Sequence, residues 1–154
     1  MKNLYQNVRS FLRMLFGAPI IHWKGVIPNI QTTGAACFDL VAAHNCIVHK
    51  GHVTVVTTKH MVEVPKGYAL EVLSRSGLAA SGVFVVNAPG IVDSDYRGHI
   101  KVILSSIFLD SFSIKEGDRI AQARIVRCLP AAHVLVDNLS TTARGENGLG
   151  STGV

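Results

Sequence analysis

No aspartate or glutamate occurs before Asp39, while Lys2, Arg9, Arg13 and Lys24 all lie in that stretch. The formal charge of +5 on this 154-residue chain is therefore mostly an N-terminal property, because the remainder carries 11 basic against 10 acidic residues. So local an excess argues against a nucleic-acid groove, and the sequence lacks the interleaved aromatic and basic residues that stack bases. Cysteines are few and odd in number. Cys37, Cys46 and Cys128 have no metal-ligand spacing and no histidine-bearing motif beside them. They read as reduced thiols, packed as small hydrophobes in a cytosol-like compartment, rather than as bridges, ligands or nucleophiles. No apolar run approaches the length of a bilayer span. There is no low-complexity linker and no internal repeat, so the length points to one domain, able to bury about two thirds of the surface its unfolded chain would expose.

What is present begins with an amphipathic segment. Between Lys2 and Phe16, the residues Leu4, Tyr5, Val8, Phe11, Leu12, Leu15 and Phe16 recur at helical spacing with Gln6, Arg9 and Arg13 among them, and Gly17 and Pro19 follow. This predicts a short basic helix within an extension spanning residues 1–19. Three readings of it stand: a helix docked on its own domain or a partner subunit, an organelle-targeting presequence, or a helix for a membrane surface or a protein partner.

From Ile20 onward the pattern is β. Short apolar or alternating runs recur at Val53 to Thr57, Met61 to Val64, Tyr68 to Leu73, Gly82 to Val86, His99 to Leu104, Ile120 to Val126 and His133 to Val136. Turn signals separate them, among them Lys50-Gly51, Pro65-Lys66-Gly67 and Lys115-Glu116-Gly117-Asp118. No βαβ rhythm appears, so the expectation is an all-β, predominantly antiparallel barrel or sandwich over residues 20–140. Residues 141–154 form a different kind of segment, with Gly145, Gly148, Gly150 and Gly153 making it too flexible for a core element. It reads either as a disordered terminus or as an arm that wraps polyphosphate with backbone N–H groups, the Ser151 and Thr152 hydroxyls and Arg144.

The stretch with the densest chemistry is Asn87-Ala88-Pro89-Gly90-Ile91-Val92-Asp93-Ser94-Asp95-Tyr96-Arg97-Gly98. Two turn-forming clusters bracket a short apolar step between β-rich flanks, which predicts a hairpin with polar groups at its tip. A carboxylate, an amide, a phenol and exposed backbone groups there suit recognition of a polar planar ring and activation of a water.

Four further segments stand in order with it: Gly34-Ala35-Ala36-Cys37-Phe38-Asp39-Leu40, Ser74-Arg75-Ser76-Gly77-Leu78-Ala79, Gly117-Asp118-Arg119-Ile120-Ala121-Gln122 and the Gly-rich arm. Together, in order and spacing, the five resemble the trimeric dUTP pyrophosphatases (dUTPases), from Pro28 to the C-terminus. The resemblance implies a jelly-roll β domain, a homotrimer with active sites shared between subunits, a cytoplasmic setting, and hydrolysis of dUTP to dUMP and pyrophosphate with Mg2+. Such an activity keeps uracil out of DNA and supplies dUMP for dTMP synthesis. It further implies that Asp93 activates the attacking water and that the Tyr96 ring fills the space a ribose 2'-hydroxyl would need. Uracil is read by main-chain groups of Gly90, Ile91, Val92 and Asp93, by the Asn87 side chain and by the strand near Lys101, whose ammonium faces solvent. Arg75, Ser76, Gly77 and Gln122 hold phosphates, and Leu78-Ala79-Ala80 begins a helical turn. From the arm, Arg144 serves as an arginine finger, and Leu149, Gly150, Ser151 and Thr152 close over the substrate. The phosphates and waters hold the metal, Asp39 either touches one of those waters or makes a structural hydrogen bond at a turn, and Arg119 is paired within the fold.

Departures from the family pattern are local. Cys37 replaces a usual Gly, Ser74 a frequent Pro, and Ser106 a common Asn, the last at the expected loss of one hydrogen bond. Two rival functions remain: a dCTP deaminase or bifunctional relative, and a dUTPase scaffold with a second, protein-binding regulatory role. Leu149 stands where the arm usually carries an aromatic ring over the uracil. Leucine covers the base but cannot stack, a difference of about 0.5–1.5 kcal/mol, or roughly tenfold at most. Leu149→Phe is therefore expected to lower KM for dUTP modestly in steady-state kinetics, and an unchanged or raised KM would refute this reading of the position.

Overall fold

The computed structural model describes residues 17–148. The expected helix between Lys2 and Phe16, and Leu149, Gly150, Ser151 and Thr152 of the arm, lie outside the described residues. Ten strands are described: β1 (His22–Gly25), β2 (Phe38–Val41), β3 (Cys46–His49), β4 (Thr54–Glu63), β5 (Tyr68–Leu73), β6 (Val83–Val85), β7 (Gly90–Val92), β8 (His99–Ser106), β9 (Ser111–Ile114) and β10 (Arg119–Arg127), with one short helix, α1 (Ser76–Ala80). They form a four-stranded sheet in the order β1-β4-β8-β6, a second in the order β2-β10-β5-β7, and a β3-β9 pair. Every strand pairing in them is antiparallel, and the domain is all-β as the sequence predicts.

Alternation builds the core. Leu40, Val56, Leu70, Val72, Ile100, Val102, Leu104, Ile120 and Ala123 project inward from strands of both larger sheets and are buried in one cluster. Fully burying each large aliphatic is worth about 1.5–3 kcal/mol. Glycine ends strands where the chain must reverse with a positive φ. Gly67 (φ 87°) and Gly117 (φ 87°) occupy two of the turns the sequence marks. At the second, Lys115 N–H donates to the Asp118 carboxylate at 2.8 Å and Gly117 N–H to the Ala42 carbonyl at 2.9 Å.

Strand β4 departs from expectation in an informative way. The sequence reads as two apolar runs separated by Thr58, Lys59 and His60, yet one ten-residue strand spans them. Inward positions alternate through Val56, Thr58, His60 and Val62, so two polar side chains are buried within the apolar series. Burial is tolerated because both are satisfied. Thr58 Oγ1 donates to the Ile100 carbonyl at 2.8 Å, bridging the register shift between β4 and β8. His60 Nδ1–H donates to the Val26 carbonyl at 2.7 Å while Nε2 accepts the Val41 N–H at 3.0 Å, which fixes the neutral tautomer.

Two other expectations are corrected. His133 to Val136 forms no strand: Leu135 is 99% exposed and Val134 80%, so alternation there has no sheet to pack on. The flanks of the Asn87–Gly98 stretch do pair, Val83 to Val85 against Leu104 to Ser106, but its apolar step is not a free tip. It crosses to the other sheet as β7 and pairs with β5.

Burial lowers the His60 pKa, with the bond to Val26 opposing the shift. The imidazole's contribution to stability is therefore fully present above its unfolded pKa of about 6.5 and is lost as pH falls through the lower folded value. Thermal melts should show stability declining below that pH. His60→Gln should cost about 1–3 kcal/mol at neutral pH and flatten the decline, whereas equal slopes in both proteins would contradict the assignment.

Candidate active site

The first element of the site is a carboxylate that the fold buries. Asp39 lies on β2 opposite Gln122 of β10 and is 8% exposed. An unpaired charge there would be costly, and two guanidiniums meet it. Arg75 Nε stands 2.9 Å from Oδ1 and Arg119 Nη1 3.2 Å from Oδ2. Arg75 Nη1 also donates to the Arg119 carbonyl at 2.9 Å. Asp39 thus sits in a strand rather than at a turn, and Arg119 is paired within the fold.

These contacts position the loop after β5. Ser74 Oγ accepts the Val85 N–H at 2.9 Å, and Gln122 Nε2 donates to the Ser74 carbonyl at 2.9 Å. Arg75 caps α1 in an extended conformation, and the helix starts at Ser76, two residues before the expected turn. Ser76 and Gly77 are exposed, and as the first helical residues their N–H groups have no partner within the helix. A cavity of about 250 Å³ opens beside them, lined by Arg75, Leu78, Phe112, Asp118, Arg119 and Ile120.

The second element is the Asn87–Gly98 stretch. Gly90 faces Val72 across the β5–β7 pair, and a β-carbon on it would come within 3.0 Å of Asn87 Nδ2. Only glycine leaves the Asn87 amide close to this backbone. Ile91 and Val92 complete β7, and Asp93 follows at the first position of a turn closed by Tyr96 N–H donating to the Asp93 carbonyl at 3.2 Å. The Asp93 side chain is exposed and makes no hydrogen bond or ion pair with any described residue. The Tyr96 ring lies over Gly98, where a β-carbon would overlap the phenol, and its hydroxyl donates to the His99 carbonyl at 2.8 Å. Lys101 sits at an exposed position of β8, and β6 pairs with that strand only as far as Leu104. One further bond, Val86 N–H to the Ile103 carbonyl at 2.9 Å, ends the pairing.

The arm's Arg144 lies in an exposed turn, with Nε donating to its own neighbour's carbonyl, Asn147, at 3.0 Å. Among the described residues no hydrogen bond or ion pair joins the Asp39 cluster, the Asp93 turn and Arg144 to one another. Ser106 Oγ donates to the Leu109 carbonyl at 2.8 Å and accepts the Leu109 N–H at 3.2 Å, so the turn after β8 is closed on both sides. Sequence reasoning missed Arg97, whose Nη1 donates to the carbonyls of Ser94 and Tyr96, and it gave Gly98 no role. The only available signal was their place directly after Tyr96. Among the described residues no group of three His, Cys, Asp or Glu side chains could hold a metal. Both Asp39 oxygens are engaged by arginines, which leaves that carboxylate only its remaining lone pairs for a metal-bound water.

An antiparallel β domain that presents a carboxylate on a tyrosine-and-glycine turn, and arginines around a helix start, suits a hydrolase of a phosphorylated substrate. The family model for dUTPase matches residues 24–153, and the chain belongs to the dUTPase family. It is 46% identical over 134 residues to a deoxyuridine 5'-triphosphate nucleotidohydrolase of Wolinella succinogenes, covering 86% of this chain and 90% of that one. Its fold matches the dUTPase of Staphylococcus bacteriophage 80alpha with dUPNHPP at a TM-score of 0.79 and 24% identity, covering 89% and 100% of the two chains. It also matches a D95N dUTPase of phage phi11 described with a structural Mg(II) ion, at a TM-score of 0.71 and 18% identity over 77% and 97%.

Asp39→Asn keeps the shape of the side chain and removes the charge both arginines share. Because Arg119 remains half in water, the expected loss is about 1–2 kcal/mol rather than the larger cost of breaking a fully buried pair. A denaturant midpoint equal to that of the parent would show that the cluster does not hold the loop.

Proposed function

We infer that the protein hydrolyses dUTP to dUMP and pyrophosphate, with Asp93 activating the water that attacks the α-phosphorus. The observation that carries the reading is an exposed Asp93, without a partner among the described residues, on the same Asn87–Gly98 stretch as Gly90 and Tyr96, in a chain of the dUTPase family. A base needs its carboxylate free to accept a proton, and Asp93 is free where Asp39 is not. As the water oxygen bonds to phosphorus, its proton passes to Asp93 and the bond to the bridging oxygen of pyrophosphate breaks in line.

Recognition is divided among the three groups of residues. Main-chain donors and acceptors of Gly90, Ile91, Val92 and Asp93, with the Asn87 amide and the unpaired edge of β8 near Lys101, read the uracil edge. Cytosine reverses one donor–acceptor pair, at a cost of about 1–3 kcal/mol per unpaired group. Tyr96, locked over Gly98, excludes a 2'-hydroxyl. Arg75, Ser76, Gly77 and Gln122 take the phosphates, joined by Arg144, Leu149, Gly150, Ser151 and Thr152 of the arm. Magnesium would be held by the substrate's phosphates and waters, with Asp39 the described carboxylate that could reach one of those waters, and would supply charge neutralisation.

The assembly is a homotrimer. Its support is that Leu129, Val134, Leu135 and Leu139 are 77–99% exposed in one chain, an apolar run that a partner subunit would cover. The setting is cytoplasmic, in keeping with the free cysteines and with the described residues containing no helix long and apolar enough to cross a membrane.

Pyrophosphate release should be restricted to dUTP among dUTP, dTTP, dCTP and UTP, and should require magnesium. Asp93→Asn should keep dUTP binding and lose turnover by about three to four orders of magnitude, the scale of a missing general base. Near-parental turnover in that variant would overturn the mechanism.

A further inference from the structure

We propose that Arg97 is a positioning residue for the reaction, holding the Asp93–Tyr96 turn in its working shape; the proposal rests on the reading of Asp93 as the base. The turn has one internal backbone bond, Tyr96 N–H to the Asp93 carbonyl, and at 3.2 Å it is long. Arg97 supplies two shorter ones. Its Nη1 donates one proton to the Ser94 carbonyl at 2.8 Å and the other to the Tyr96 carbonyl at 2.7 Å, so a single nitrogen bridges both sides of Asp95. Hydrogen bonds from a cation are shorter and stronger than neutral ones, and here they fix the peptide units that follow Asp93 and flank Tyr96. The far nitrogen, Nη2, lies 4.0 Å from Glu63 Oε1 on β4, which anchors the guanidinium to the sheet.

Arg97 belongs to the geometry of the turn more than to the stability of the fold. Its side chain is 55% exposed and Glu63 53%, so the long ion pair between them adds little to folding free energy. The Asp93 carboxylate, by contrast, has no partner among the described residues to hold it. Its position is set only by the backbone that carries it, and that backbone is tied by Arg97. A base displaced by about 1 Å can cost a hundredfold in rate without weakening substrate binding. Lysine reproduces only part of the arrangement, since one ammonium can donate to the two carbonyls but presents no second nitrogen toward Glu63.

The test compares Arg97→Ala and Arg97→Lys with the parent and with Asp93→Asn, in the full chain, with dUTP and magnesium. We expect Arg97→Ala to lower kcat by about 10- to 100-fold, with KM within about twofold and an unchanged melting temperature. Arg97→Lys should fall between it and the parent. Millimolar guanidinium chloride should restore part of the kcat of Arg97→Ala and leave Asp93→Asn inert. A raised KM at constant kcat would overturn the proposal by making Arg97 a substrate ligand, and a loss of kcat matched by a loss of folded protein would reduce it to a structural residue. Parental kinetics in Arg97→Ala beside an inert Asp93→Asn would sink this inference alone, whereas an active Asp93→Asn would sink the reading on which it rests.

Discussion

The arrangement of the loop that enters α1 depends on one carboxylate holding two guanidiniums. Asp39 is removed from water by its place on β2, and Arg75 and Arg119 approach opposite oxygens. Each of the three residues belongs to a different part of the chain, so the contact ties β2, β10 and the loop entering α1 at a single point. Arginine suits this role because its donors lie in a rigid fork: Arg75 meets the carboxylate through Nε and the Arg119 carbonyl through Nη1 together. With Gln122 bound to the Ser74 carbonyl, the segment from Ser74 to Gly77 has little freedom to move independently of the sheet. The direction in which α1 presents its first N–H groups follows from these contacts, since α1 has no side-chain cap of its own.

Much of the fold could be read from the sequence because its punctuation is local. Gly67 and Gly117 mark turns through the sign of φ, a property of glycine itself, and Tyr68–Leu73 is a strand in both sequence and structure. The failures occur where the deciding contact is distant. Thr58 and His60 look like a break in β4 until Ile100, Val26 and Val41 are placed around them. His133 to Val136 looks like a strand because alternation is visible in a sequence and the absence of a neighbouring strand is not. The Asn87–Gly98 stretch was legible as turns and apolar step, but its crossing to β5 is a choice of partner, which periodicity does not encode.

The candidate site divides in the same manner. Which residues to consider could be read from type, spacing and family likeness, since a carboxylate, a phenol and glycines on one short stretch are conspicuous. How they are held could not. Gly90 and Gly98 matter for what leans on them, Asn87 and the Tyr96 ring, and Ser106 closes its turn although the usual residue there is larger. Arg97 is unremarkable by composition and becomes significant only when its hydrogens are traced to the two carbonyls.

Asp39 and Asp93 carry the same functional group and are fitted for different work by their surroundings. Asp39 is buried with a guanidinium against each oxygen, so it serves as a fixed acceptor for Arg75 and Arg119. Asp93 is exposed and has no partner among the described residues, which leaves both its oxygens open, as the proposed role of a base requires. Exposure has a cost, because a carboxylate surrounded by bulk solvent exerts little directed pull on any one water molecule. For Asp93 to act strongly, the solvent around it must be replaced by substrate and by protein that covers the substrate. No described residue of the chain bonds to its carboxylate, so that cover has to come from beyond the turn. On the proposed reading, the exposure that leaves Asp93 able to act as a base is the same feature that would make the site depend on closure.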